Sequence, residues 1–436
     1  MTPTTRIKVV RIIDRLIIGG PTKSAIRLSG GLSSNFDTYL VAGSPAAGEC
    51  DVSHQAREAG IKLISLPEMS REVRLRDIKV ILKLIVLFFR LRPDVIATHK
   101  SKAGATGRIA GLVYKWVIPS VLRLRPRNVK VVHCFHGHVL HGYFSSFTTA
   151  LLIRFERLLA WIATDAIIVI SPQQRHELCE EFEIGCPEQY HTIPLAIDFE
   201  ELRPVPGRLR SQHQILPDAF LVGGVGRLCE IKNFGLLIQA MHDAIRSSEL
   251  HAGWRLAIVG GGHLQPELEQ LVDVLRMRAN ITFTGFREDA TSLYTDMDLV
   301  ALSSLNEGTP LTLLEGMAAG RPALSTEVGG VVDIMGACRG FQDGFRIWDH
   351  GITVPSGDLA AFSRALIFLA NNRELREKMG RTGQDYVKKA FGKARLFSEV
   401  EGLYTKLLRG DSGTACANEH GGRPACRDES AAGTTI

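Results

Sequence analysis

Paired cysteine spacing is missing from this chain of 436 residues. Its eight cysteines, at 50, 134, 179, 186, 229, 338, 416 and 426, form no C-x-x-C, so neither a disulfide framework nor a zinc site is indicated. No stretch approaches the ~20 apolar residues needed to cross a bilayer. Residues 1–14 run straight into a strand-like pattern without a signal-peptide core, which predicts a cytoplasmic protein. A Gly-x4-Gly-Lys phosphate loop is absent, which argues against a nucleoside triphosphatase, and Gly260-x-Gly262-x-x-Gln265 lacks the third glycine of a dinucleotide fingerprint. The net charge is only +6, but Lys and Arg concentrate in the first 130 residues; anionic partners are favoured there and no nucleic acid is expected.

What is present is an ordinary globular balance, 45% hydrophobic and 22% charged, in a chain too long for one core. Short β-type runs alternate with helical patterns at 7–13, 62–66, 94–98, 130–135, 166–170 and 190–194, then again at 220–226, 254–260, 280–285, 298–302 and 322–326. This alternation predicts an α/β protein with two doubly wound parallel sheets. The Pro-rich Arg203–Arg208 reads as a linker, giving domains at 1–203 and 204–392. Leu396, Val400, Leu403, Leu407 and Leu408 then recur at helical spacing, so 393–409 reads as a long amphipathic helix. Residues 410–436 have no periodicity and read as a disordered tail.

Two carboxylates carry the strongest chemical signal. Glu307 and Glu315 lie in Asn306-Glu-Gly-Thr-Pro-Leu-Thr-Leu-Leu-Glu-Gly-Met-Ala-Ala-Gly-Arg-Pro, directly after a strand. The first falls on a strand-to-helix loop and the second inside the helix. Open α/β sheets bind ligands at that edge, and the N–H groups of Gly308, Thr309 and Leu311, with Pro310 between them, would face an anion. Glu307 can accept hydrogen bonds from sugar hydroxyls, and Glu315, about two turns on, from a second diol. Two diol clamps beside an anion site describe a nucleotide sugar. Arg227 and Lys232, in Gly-Arg-Leu-Cys-Glu-Ile-Lys after the first strand of the second domain, are two cations at that strand's carboxyl end, where an anion could be gripped.

These motifs, with Gly-Met-Ala-Ala-Gly320-Arg-Pro and Val328-Gly-Gly-Val-Val-Asp333, resemble the donor-site signature of retaining glycosyltransferases of family 4. The resemblance implies a GT-B fold, two facing Rossmann-like domains with the last helix crossing back onto the first. It implies that Glu307 meets the donor sugar and Glu315 the ribose, that Arg227 and Lys232 bind the donor phosphates, and that Gly260 and Arg287 lie beside the nucleotide. Gly19 and Gly20 match a Gly-Gly that faces the donor, and His136 a loop histidine near the reacting centre; His138 and His141 would shape the acceptor mouth. One departure is Leu302-Ser303-Ser304, where the family usually has Pro-Ser, a change expected to touch loop stiffness more than chemistry.

The resemblance further implies transfer of a hexose or N-acetylhexosamine from a nucleotide diphosphate, with UDP as the nucleotide, to a lipid-linked or saccharide acceptor, with no cofactor. The rivals are a non-catalytic nucleotide-sugar-binding subunit of a polysaccharide assembly complex and a dehydrogenase built on Gly260–Gly262. No metal site is expected: Asp296-Met-Asp298 reads as structural capping, and the histidines at 133, 136, 138 and 141 lack an acidic partner. The His99–Gly104 segment reads either as an acceptor-phosphate contact or as a solvated loop. Residues 71–92, whose apolar Leu75, Ile78, Ile81, Leu82, Ile85 and Phe89 are bordered by cations, and residues 114–130 together predict a peripheral contact with anionic membrane, the alternative being an ordinary amphipathic helix packed on the sheet.

Overall fold

The structure, a computed structural model, describes residues 6–17, 19–46, 49, 51–69, 76–117, 126–136, 146–200, 202, 207–247 and 253–410. Two compact units divide the chain at Ala196/Ile197, ahead of the Pro-rich segment that the sequence offers as the boundary. Burial explains the difference. Ile197 is 1% exposed in an apolar cluster with Phe391, and its N–H donates to the Phe391 carbonyl at 2.8 Å, so the chain has already entered the second core.

The first unit is a seven-stranded sheet made by β1 (Ile7–Arg15), β2 (Phe36–Gly43), β3 (Lys62–Ser65), β4 (Val95–His99), β5 (Lys130–Cys134), β6 (Ala166–Val169) and β7 (Tyr190–Thr192). Its order is β3-β2-β1-β4-β5-β6-β7, and every pairing is parallel. Parallel strands are covered on both faces, which is why β4 is buried at every position. The helix Lys393–Arg409 belongs to this unit: Leu396, Val400, Leu403 and Tyr404, at 3- and 4-residue spacing, join Val9, Ala97 and Val132 in one cluster. Each such fully buried side chain contributes about 1.5–3 kcal/mol of transfer free energy.

The second unit contains β8 (Phe220–Val225), β9 (Trp254–Val259), β10 (Ile281–Gly285), β11 (Leu299–Leu302), β12 (Ala323–Thr326), β13 (Cys338–Gln342), β14 (Phe345–Trp348) and β15 (Gly351–Val354). The order is β10-β9-β8-β11-β12-β15-β14-β13, parallel as far as β15 and antiparallel for the last two. In both sheets the strand order reverses beside the unit's first strand. The crevice outside the carboxyl ends of β1 and β4, and of β8 and β11, is therefore where such a sheet binds ligands.

Candidate functional site

In the second unit, β8 delivers Gly226 and Arg227 to the switch point, and a short 3-10 turn (Glu230–Lys232) follows. β11 delivers Ser303 to Pro310 beside it, ahead of the helix Leu311–Ala318. The two loops are joined by several bonds. Lys232 Nζ lies 2.5 Å from Glu307 Oε1, and Ser304 Oγ donates to the same oxygen at 2.6 Å. Ser303 Oγ donates to the Lys232 carbonyl at 3.0 Å, and the Leu305 N–H to the Ile231 carbonyl at 2.8 Å. The departure from Pro-Ser thus has a chemical consequence: a proline at 303 could not make the hydroxyl bond that anchors the Lys232 loop. The Val328–Asp333 motif supports the same loop, since Gly330 N–H donates to the Gly308 carbonyl at 3.1 Å, and so does the end of β12, where Thr326 Oγ1 donates to the Ser304 carbonyl at 2.6 Å.

Around this pair the named residues differ in availability. Arg227 is exposed and makes no ion pair among the described residues, so its guanidinium is ready for an anion. Glu307, Gly308 and Leu311 are half-buried, and Thr309 and Pro310 are buried. At the start of the Leu311–Ala318 helix the first N–H groups have no intrahelical acceptor. Glu315, inside that helix, is buried, and the Tyr294 hydroxyl donates to one of its carboxylate oxygens at 2.9 Å. Tyr294 thus orients Glu315, and burial together with that carboxylate pushes the phenol well above its usual range.

Two of the residues expected beside the nucleotide also have a structural role. Gly260 is required chiefly by packing: its φ is +142°, and a Cβ would lie 1.9 Å from the Gly226 carbonyl oxygen. Likewise a Cβ on Gly262 would lie 2.2 Å from the Leu228 carbonyl oxygen, so this turn buttresses the Arg227 loop. Arg287 is committed to Asp289 through two bonds, at 2.7 and 2.8 Å, and to Gln212 at 3.1 Å; its guanidinium braces the loop after β10. Asp296 accepts from the N–H groups of Gly207 and Leu209 at 2.5 and 2.6 Å, capping the helix Arg208–Gln212, and Asp298 pairs with Arg210 at 2.9 Å.

In the first unit, Gly19 caps the helix Gly20–Gly30 with φ +151°, a conformation that favours glycine. β4 ends at His99 and β5 leads to His136; their rings stack with centroids 4.9 Å apart. Burial holds both imidazoles in the neutral form, His99 well below the usual range and His136 pulled down to about 3. The His99–Gly104 segment is not a solvated loop: Lys100 pairs with Asp14 and Lys102 with Asp77, each at 2.9 Å, and Ser101 begins a helix running to Trp116. His138 and His141 lie outside the described residues.

Among the described residues, His99, Cys134 and His136 are the group whose ligand atoms could gather around a metal, all within 4.8 Å. The chemistry fits poorly. His99 Nδ1 and His136 Nε2 are 2.6 Å apart, a hydrogen bond, and the Arg11 guanidinium lies 2.9 Å from the other His99 nitrogen. Burial also pushes the Cys134 thiol up to about 12, away from the thiolate that ligates metals.

Comparison with known proteins converges on one group. Residues 219–372 match the family described as "Glycosyl transferases group 1", and residues 18–201 match "Glycosyltransferase Family 4". EpsD of Bacillus subtilis (strain 168) is 30% identical over 328 residues, covering 73% of this chain and 78% of the relative. The Escherichia coli UDP-Gal:alpha-D-GlcNAc-diphosphoundecaprenol alpha-1,3-galactosyltransferase is 23% identical over 353 residues, covering 80% and 84%. The crystal structure of Anabaena HepE in complex with UDP-glucose superposes with a TM-score of 0.70 at 18% identity, covering 92% of this chain and 100% of that one. That likeness shows the two-unit GT-B architecture.

Proposed function

We propose that this chain, which belongs to glycosyltransferase family 4, moves a hexose or N-acetylhexosamine from a UDP-sugar to a lipid-linked or saccharide acceptor in polysaccharide assembly, with retention at the anomeric carbon. The observation that carries the donor assignment is the Lys232–Glu307 pair at the β8/β11 switch point, with Arg227, which makes no ion pair among the described residues, beside it. Arg227 and Lys232 stabilise the charge that builds on the departing diphosphate, and fixed cations do this without reorganising at the moment of reaction. Glu307, held by Lys232 and Ser304, accepts from the sugar hydroxyls. Glu315, turned by Tyr294, accepts from the ribose through its remaining lone pairs. The UDP-glucose complex of HepE and the UDP-Gal donor named for the E. coli relative support the choice of nucleotide.

No divalent ion enters this scheme, because the cations already supply the counter-charge and Asp296 and Asp298 are engaged in capping and pairing. Turnover should therefore be unchanged after dialysis against EDTA, measured by release of nucleoside diphosphate. Loss restored by added Mg2+ or Mn2+ would overturn this part of the scheme.

A lipid-linked acceptor fits the surface of the first unit. The helix Arg76–Leu91 buries one stripe, Val80, Leu84 and Phe88, yet exposes a second, Ile78 (59%), Leu82 (57%) and Val86 (50%). Packing on the sheet and an outward apolar face are thus both present, on different sides. The helix Ser146–Ala163, which the sequence reading passed over, exposes Phe147 and Trp161 (82% each) along with Leu151 and Leu158. Both helices pack against Ser101–Trp116, so their outer faces lie in one layer. No helix among the described residues is long and apolar enough to span a membrane. An apolar layer with Lys79, Lys83, Arg90 and Arg154 on its helices suits an anionic interface.

Arg127, within the 114–130 segment, is not a free surface cation. Arg127 donates to the carbonyls of Tyr114 and Val117 and stacks on Phe89 and Tyr114 at 4.7 and 4.8 Å, so its loss would damage the fold; Arg123 and Arg125 lie outside the described residues. The double variant Phe147→Glu/Trp161→Glu should stay folded and lose sedimentation with phosphatidylglycerol vesicles that bind the wild type at low salt. Equal binding of both proteins would remove the membrane from the proposal.

A further inference from the structure

The donor chemistry leaves two features of the first unit unused: among the described residues, a buried guanidinium has no carboxylate partner and a buried imidazole nitrogen has no hydrogen-bond partner. Arg11, on β1, is 1% exposed. Its polar partners are His99 Nε2 at 2.9 Å and, at 3.5 Å, the Tyr404 hydroxyl, while its Nε has none. Burying a charge without a counter-ion is costly, so its position calls for a compensating role.

Proton logic supplies one. A guanidinium only donates, so His99 Nε2 accepts and the His99 ring proton sits on Nδ1. That nitrogen is 2.6 Å from His136 Nε2, which must accept in turn, and the His136 proton is left on Nδ1. His136 Nδ1 is buried and has no hydrogen-bond partner among the described residues. We infer that Arg11 and His99 are positioning residues that fix His136 in its neutral Nδ1–H tautomer, so that His136 offers a hydrogen-bond donor to a substrate oxygen instead of taking a proton from it. The relay runs from the middle of β1 through His99 at the carboxyl end of the neighbouring β4 to His136, two residues past the end of β5, and so leads toward the edge at which such sheets bind ligands. The inference rests on the placement of His136 at the reacting centre; the tautomer itself does not.

The test reads the tautomer and turnover separately. Two-bond 15N–1H correlation spectra of 15N-histidine-labelled full-length protein, with the His136 signals assigned by their loss in His136→Gln, should show Nδ1–H in the wild type. Arg11→Met and His99→Leu should each convert His136 to Nε2–H. In both, kcat should fall roughly tenfold or more as the donor is misdirected, with KM for the donor changed by less than about threefold. Arg11→Lys, which still donates to His99, should restore the tautomer and most of kcat. Should Arg11→Met fail to fold, His99→Gln decides: its amide accepts from Arg11 and donates to His136, so tautomer and turnover must both survive. An Nε2–H or doubly protonated His136 in the wild type, or an Nδ1–H tautomer indifferent to His99→Leu, overturns the relay while leaving the donor site untouched. A tautomer that shifts as described with kcat unchanged in every variant, His136→Gln included, overturns the placement of His136 at the reacting centre.

Discussion

Replacing Glu307 by Gln is expected to lower kcat by about a hundred- to a thousandfold, the scale on which a preorganised polar contact to the reacting group acts. The fold should barely respond. Glutamine still accepts from Lys232 and Ser304, so the loss in stability should be about 1–2 kcal/mol, the worth of weakening a charge-assisted bond. Steady-state kinetics with a competent donor, beside a thermal unfolding curve, checks both halves. A folded Glu307→Gln protein with near-normal turnover would remove Glu307 from the site.

Arg227→Ala and Lys232→Ala should each reduce kcat/KM by roughly a hundredfold, and the double variant by much less than the product, because both cations act on one diphosphate. The structure separates the two singles further. Lys232 holds Glu307 at 2.5 Å, whereas Arg227 makes no ion pair among the described residues. Lys232→Ala should therefore also erode discrimination between donor sugars, and Arg227→Ala should weaken all nucleotides alike. Multiplicative effects with unchanged sugar preference would mark both as ordinary surface charges.

Much of this site could be read in advance because its signals are local. Arg227, Lys232, Glu307 and Glu315 lie within a few residues of strand ends whose apolar runs are plain, and parallel sheets put such ends on one edge. Interactions distant in sequence were not readable. Arg11 and His99 meet only because β1 and β4 pair across the switch point, and nothing in their own neighbourhoods announces a buried guanidinium. The same holds for Tyr294, which reaches Glu315 from the 3-10 turn Tyr294–Asp296 ahead of β11. β2 was passed over although Phe36–Gly43 is a fair strand pattern. β13 and β14 were harder, since an antiparallel edge hairpin carrying Arg339, Gln342 and Arg346 has little apolar alternation. The helix Arg76–Leu91 misled in another way: apolar residues on nearly every side conceal which stripe is core, and only packing separates Val80, Leu84 and Phe88 from Ile78, Leu82 and Val86.

The most direct test of the donor-site assignment is calorimetric titration of UDP and of a panel of UDP-sugars into the wild type and Glu307→Gln. The wild type should bind UDP and bind one UDP-sugar distinctly more tightly, and Glu307→Gln should keep its UDP affinity within about threefold while losing the increment due to the sugar. Loss of UDP and UDP-sugar binding in equal measure, or a sugar increment that survives the substitution, would contradict the assignment of Glu307 to the donor sugar.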